Sequence, residues 1–165
     1  VSYIITPFKK DMPMLSMDFM YMFGNRKAYA EFYDLTPDKT SPEYTAVLES
    51  IKKFEESRND LEDLTTEPAW YDEYLTVVLH KAAKRDKDER VDKMFCDAIR
   101  CYMETAKDLP LLSDEEKAAK LAITQEYCDN LVEKGGVSTD VFKKALGSET
   151  TKDFFDKVLF GTALY

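Results

Sequence analysis

The sequence predicts an all-α fold: one domain over residues 1–165, arranged as a helical bundle or an orthogonal array of six or seven helices, with residues 1–15 as an extended N-terminal arm. Three observations predict it. Apolar residues recur at three- and four-residue steps through most of the chain. Only 5 glycines are present, and Gly135, Gly136 and Gly147 fall late, where helix stops are expected. Finally, Ser-Pro, Glu-Pro and Ser-Asp-Glu-Glu sequences stand where helix starts should stand.

Taken in order, Val1–Pro13 mixes a short apolar run with Pro7, Pro13 and two lysines, and reads as a lead-in. Ser16 is a candidate cap for a first helix carrying Phe19, Met22, Phe23, Tyr29, Phe32 and Tyr33, with Gly24 a weak point inside it. Ser41-Pro42-Glu43 opens a second, whose stripe is Tyr44, Val47, Leu48, Ile51, Phe54, Leu61 and Leu64. Thr66-Glu67-Pro68 opens a third, with Trp70, Tyr71, Tyr74, Leu75, Val78, Leu79 and Ala82 as its stripe. The charged run Lys84–Arg90 reads as a polar connection capped by Asp86 or Asp88, although a single bent helix over residues 69–109 fits the same pattern. The helix beyond it bears Val91, Met94, Phe95, Ala98, Ile99 and Tyr102 and closes at Pro110. Ser113-Asp114-Glu115-Glu116 is a capping box, and Gly135-Gly136 ends the helix it starts. Short helices from about Thr139 to Leu146 and from about Thr151 complete the chain.

A net charge of −9 is spread evenly, with 8 basic and 12 acidic side chains in residues 1–66 and 15 and 20 in residues 67–165. No basic arm or acidic tail results, which disfavours nucleic acid and anionic membrane as partners. No apolar run reaches the length of a membrane-spanning helix. The odd count of 3 cysteines, Cys96, Cys101 and Cys128, suits reduced thiols and a cytoplasmic protein.

Motifs of chemistry are scarce. Five of the seven methionines, Met12, Met14, Met17, Met20 and Met22, lie within eleven residues among aromatics. Thioethers suit Cu(I), but no Cys or His lies nearby, so adaptable apolar packing or docking is the better reading. His80 is the sole histidine; it could orient a proton transfer or ligate haem, or simply sit at a helix end, and Glu73 is two helical turns away from it. Cys96 and Cys101 point apart on a helix, and one histidine cannot serve a di-iron bundle. No phosphate loop, nucleophile elbow or kinase signature is present. Trp70 and Tyr71, adjacent in sequence, cannot both face one core from one helix, so one of them is expected to line a groove.

These features predict a non-enzymatic protein-interaction module. It would offer Met17, Met20, Phe23, Trp70, Tyr71, Tyr74 and His80 as an apolar and aromatic surface to another protein or to a second copy, with no cofactor and no metal. The alternative is a helical binder of a hydrophobic small molecule such as haem.

Overall fold

The computed structural model describes residues 1–56 and 61–165. Its centre is a five-stranded antiparallel sheet in the order β1-β2-β3-β5-β4, and the all-α expectation is therefore overturned. The strands are β1 (Ser2–Ile5), β2 (Met14–Met22), β3 (Asn25–Tyr33), β4 (Glu62–Asp63) and β5 (Leu75–Lys84). The helices are α1 (Pro42–Glu56), α2 (Asp88–Lys107), α3 (Asp114–Lys134), α4 (Val137–Leu146) and α5 (Ser148–Phe154).

The expected first helix is instead a hairpin. Met22 pairs with Asn25, leaving Phe23-Gly24 as a two-residue turn with φ of +48° and +83°. Both central residues at positive φ make a type I′ turn, whose twist matches that of the flanking strands. Gly24 supplies the left-handed geometry that a side chain resists. Along β2, Leu15, Met17 and Phe19 point to one face while Ser16, Asp18 and Met20 point to the other, a period of two rather than 3.6. Ala28, Ala30 and Phe32 of β3 and Val77 and Leu79 of β5 join the first set.

The third expected helix is overturned as well. Trp70–Tyr74 forms one short 3-10 turn, and Leu75–Lys84 is a strand paired along β3, with an irregularity at Phe32/Tyr33. Residues 69–109 are thus a turn, a strand and a helix rather than one or two helices. The polar connection does fall at Arg85–Lys87, and α2 begins at Asp88.

Where helices do form, local signals match them. The Ser41 hydroxyl accepts from the amide of Tyr44 at the start of α1. Ser113 and Glu116 make the reciprocal capping box of α3, and Gly135 ends that helix at φ +83°. The sheet is clad unequally. On one face α1 and α2 pack Val47, Ile51, Phe54, Val91, Met94, Ala98 and Tyr102 against the strands. On the other, α3 and the C-terminal segments cover only one end, where Tyr127, Cys128, Leu131, Phe155 and Phe160 meet Met14, Tyr33 and Leu35.

One buried cation joins these layers. Lys120 of α3, only 1% exposed, donates to Asp11 Oδ1 at 3.1 Å and to the carbonyls of Met12 and Leu35 at 2.9 and 3.2 Å. Asp11 also accepts from the Thr36 hydroxyl at 2.5 Å. Burial pulls the Lys120 ammonium below its usual pKa, against the pull of Asp11. Removing one partner of a buried pair strands the other. Lys120→Ala is expected to cost about 3 kcal/mol in urea unfolding, whereas an unchanged midpoint would mean the cluster carries no stability.

Arg26 of β3 grips the first residue of α2, with Nε and Nη2 at 2.6 and 3.0 Å from the two Asp88 carboxylate oxygens. That grip holds the Asp88 carboxyl below its ordinary range. Because the folded pKa is lowered, the stabilisation is complete above the unfolded value of about 3.9 and fades as pH falls through the folded one. Asp88→Asn should flatten that acid limb of a Tm-versus-pH curve.

Candidate functional site

On the half-covered sheet face, strand register sets side chains in rows. Ser2, Asp18, Tyr29 and His80 form one row across β1, β2, β3 and β5. Ile4, Ser16, Glu31 and Val78 form the next towards the covered end, and Met20, Lys27 and Ala82 the next towards the hairpin turn. Carboxylates, a phenol and the single imidazole therefore converge because alternate residues of three strands share a face.

The groups are bonded to one another. His80 Nε2 lies 2.7 Å from Glu31 Oε1, and the Tyr33 hydroxyl donates to Glu31 Oε2 at 2.7 Å. The His80 and Glu31 side chains are 14% and 13% exposed, sheltered but reachable. On its outer side, His80 Nδ1 is 3.3 Å from the hydroxyl of Thr66, an exposed residue. A connected path thus runs from the surface at Thr66 through imidazole and carboxylate to the buried Tyr33 phenol, and each link can pass or hold a proton. The Tyr29 ring meets the His80 ring edge-on at 5.1 Å.

Asp18 stands apart from this path, with its carboxylate on the Ser2 hydroxyl. Burial raises its pKa; the Ser2 hydrogen bond opposes that rise, and the charge of Glu31 adds to it. A carboxylic acid that keeps its proton to higher pH is suited to giving it up to a bound molecule. The phenols of Tyr71, Tyr33 and Tyr127 are also raised, by burial first and by neighbouring negative charge. They remain neutral hydrogen-bond donors through the physiological range.

An aromatic wall closes the covered end. Tyr127 of α3 lies 5.4 Å from the Tyr33 ring, and Trp70 and Tyr74 pack on Tyr127 at 5.9 and 5.6 Å. The Trp70 indole donates to the Gly135 carbonyl at 2.8 Å, and Tyr71 sits 6.3 Å from Tyr33. Among the described residues no group of three or more His, Cys, Asp or Glu is placed to hold a metal ion. A separate cleft of about 400 Å³, lined by Phe8, Lys9, Leu121 and Tyr165 among others, lies away from the polar face.

A profile of the ferredoxin-dependent bilin reductases matches residues 2–161. The chain belongs to that family. Phytochromobilin synthase from tomato, solved in complex with biliverdin, shares the fold with a TM-score of 0.71 and 15% sequence identity. The match covers 98% of this chain and 59% of that one, so the chain spans about three-fifths of the length of that synthase. No curated protein matches. Membership in a reductase family overturns the non-enzymatic interaction module and its haem-binding alternative, and with them the expectation that the chain is not an enzyme.

The structure disperses the residues singled out from the sequence. Met17 is buried against α1 and α2; Met20 lies on the polar face; Phe23 is the exposed hairpin tip. Trp70, Tyr71 and Tyr74 build the wall, and His80 lies at the centre of the polar face. Asp18, Tyr29, Glu31, Tyr33 and Tyr127 were missed. Alternation in Ser16-Met17-Asp18 and in Tyr29-Ala30-Glu31-Phe32-Tyr33 carried the signal.

The raised Asp18 carboxyl implies a pH effect of definite sign. Protonation is favoured in the fold, so its stabilising share is complete below the unfolded pKa and lost as pH rises through the folded one. Asp18→Asn should melt higher than the parent chain at neutral pH and converge with it in acid. A lower Tm for the variant at neutral pH would contradict this.

Proposed function

We propose that the chain reduces a bilin, a linear tetrapyrrole such as biliverdin, with electrons from ferredoxin, the pigment lying over Asp18, Tyr29, Glu31 and His80. The observation that supports this reading is the half-open sheet face, where proton-carrying groups converge beside an aromatic wall, in a chain of this family. Trp70 and Tyr71, backed by the buried ring of Tyr127, offer flat apolar surface to a conjugated ring system.

Reducing one double bond of a conjugated pigment takes up two electrons and two protons. Ferredoxin delivers one electron at a time, so two reduced ferredoxins are oxidised per double bond. The chain's own part is to hold the pigment away from bulk water and to give protons at fixed positions. Asp18 is placed to give one from its carboxyl. The Glu31–His80 pair is placed to give the other, and Thr66 links His80 to solvent for its return. A cytoplasmic setting fits this reading, with Cys96, Cys101 and Cys128 all unpaired thiols. No helix among the described residues is long and apolar enough to cross a membrane.

The test is a biliverdin titration followed by turnover with reduced ferredoxin. Binding is expected to shift the pigment's visible absorbance at stoichiometric protein. Asp18→Asn and His80→Gln should each lower kcat by about 100-fold while biliverdin affinity changes less than about threefold. A chain that leaves the biliverdin spectrum unchanged would overturn the proposal.

A further inference from the structure

We infer that the sheet corner formed by the β2–β3 turn and the β5–α2 connection is the docking surface for the acidic electron donor, with Phe23 as its apolar anchor; this rests on the reductase reading above. The two segments that build the corner reverse the charge of the chain, while the exposed Glu62 and Asp63 of β4 pair beside them with Ala82 and Lys81. Residues 25–27 and 84–90 carry six basic side chains, Arg26, Lys27, Lys84, Arg85, Lys87 and Arg90, against three acidic ones, within a chain of net charge −9. One of those three acids, Asp88, is already held by Arg26. The two segments are contiguous because Asn25 pairs with Lys84 in the sheet and the Lys84 ammonium bonds the Asn25 side chain. Lys27, Lys84 and Arg85 are exposed.

Phe23 gives the corner an apolar point. It is 102% exposed, beside Tyr21 at 55% and Met22 at 47%. Its φ of +48° is one that Asn or Gly adopts with less strain, so neither burial nor backbone preference in the chain itself accounts for a phenylalanine there. An exposed aromatic next to exposed cations is how an interface centre and its polar rim are built. The corner also adjoins the row Met20–Lys27–Ala82, one step from Asp18, Tyr29 and His80, so a donor seated there lies beside the open end of the pigment face.

Charge decides between two anionic surfaces. An extended anionic bilayer meets the corner together with the exposed acids Glu62 and Asp63 on the neighbouring strand β4, which oppose it. A small acidic protein touches only the corner, and screening at physiological ionic strength confines its attraction to about 8 Å.

The test measures binding directly. Immobilised ferredoxin at low salt is titrated with the full chain, with the double variant Lys84→Glu/Arg85→Glu, with Phe23→Asn, and with Lys144→Glu on the exposed surface of α4 as a control. The inference expects the double reversal to raise Kd at least about tenfold and Phe23→Asn several-fold, with Lys144→Glu unchanged and binding weakening as salt rises. Phe23→Asn should at the same time raise Tm, which separates loss of contact from loss of fold. Equal Kd values across the set, or parent-chain binding to phosphatidylserine-containing vesicles but not to ferredoxin, would overturn it. Failure of the biliverdin titration with ferredoxin binding intact would count against the pigment reading and leave the docking surface standing.

Discussion

Nine residue pairs lock β2 to β3 and nine more lock β3 to β5, and that ladder governs everything else in the molecule. Side chains alternate across it, so each strand must serve two environments at once. A shift of one residue would carry Leu15, Met17 and Phe19 to the polar face and bring Asp18 against Val91 and Met94, with carboxylates stranded in a dry core. The apolar half of each strand thereby holds the polar half in register. Asp18, Tyr29 and His80 fall in one row because their neighbours are buried on the opposite side.

The two faces are finished differently. α1 and α2 seal one face, whereas α3 reaches only the Met14, Tyr33 and Leu75 end of the other. Lys120 pins α3 to the chain segments around Asp11 and Leu35, which sets how far that helix extends over the sheet. What remains uncovered is polar, rimmed by tyrosines and a tryptophan, and still within reach of solvent.

Local chemistry made the helices legible. Ser41-Pro42 and the Ser113–Glu116 box act within a few residues, and each of them starts a helix where it was expected. The strands were hidden for a physical reason. β2 is rich in Met and two of the five buried positions of β3 are Ala, residues that suit helices, and the exposed face of the sheet is itself half-buried, so hydrophobic alternation is blurred. β5 reads as a continuous apolar run because both its faces have neighbours, although Thr76-Val77-Val78 favoured a strand. Gly24 was visible as a breaker, but only the pairing of Met22 with Asn25 makes it half of a turn.

Of the site, the sequence alone marked His80 as the one imidazole and Trp70, Tyr71 and Tyr74 as an unusual aromatic cluster, and it ruled out long basic arms, phosphate loops and helices long enough to span a membrane. Its composition and its caps determined where α1 and α3 begin, because those signals depend on hydrogen bonds within one turn of chain. The tertiary structure decided that His80 meets Glu31, 49 residues earlier, and that Asp18 and Tyr29 complete their row. Partners that distant are chosen by strand pairing, whose hydrogen bonds join segments far apart in sequence and leave no fixed spacing between them.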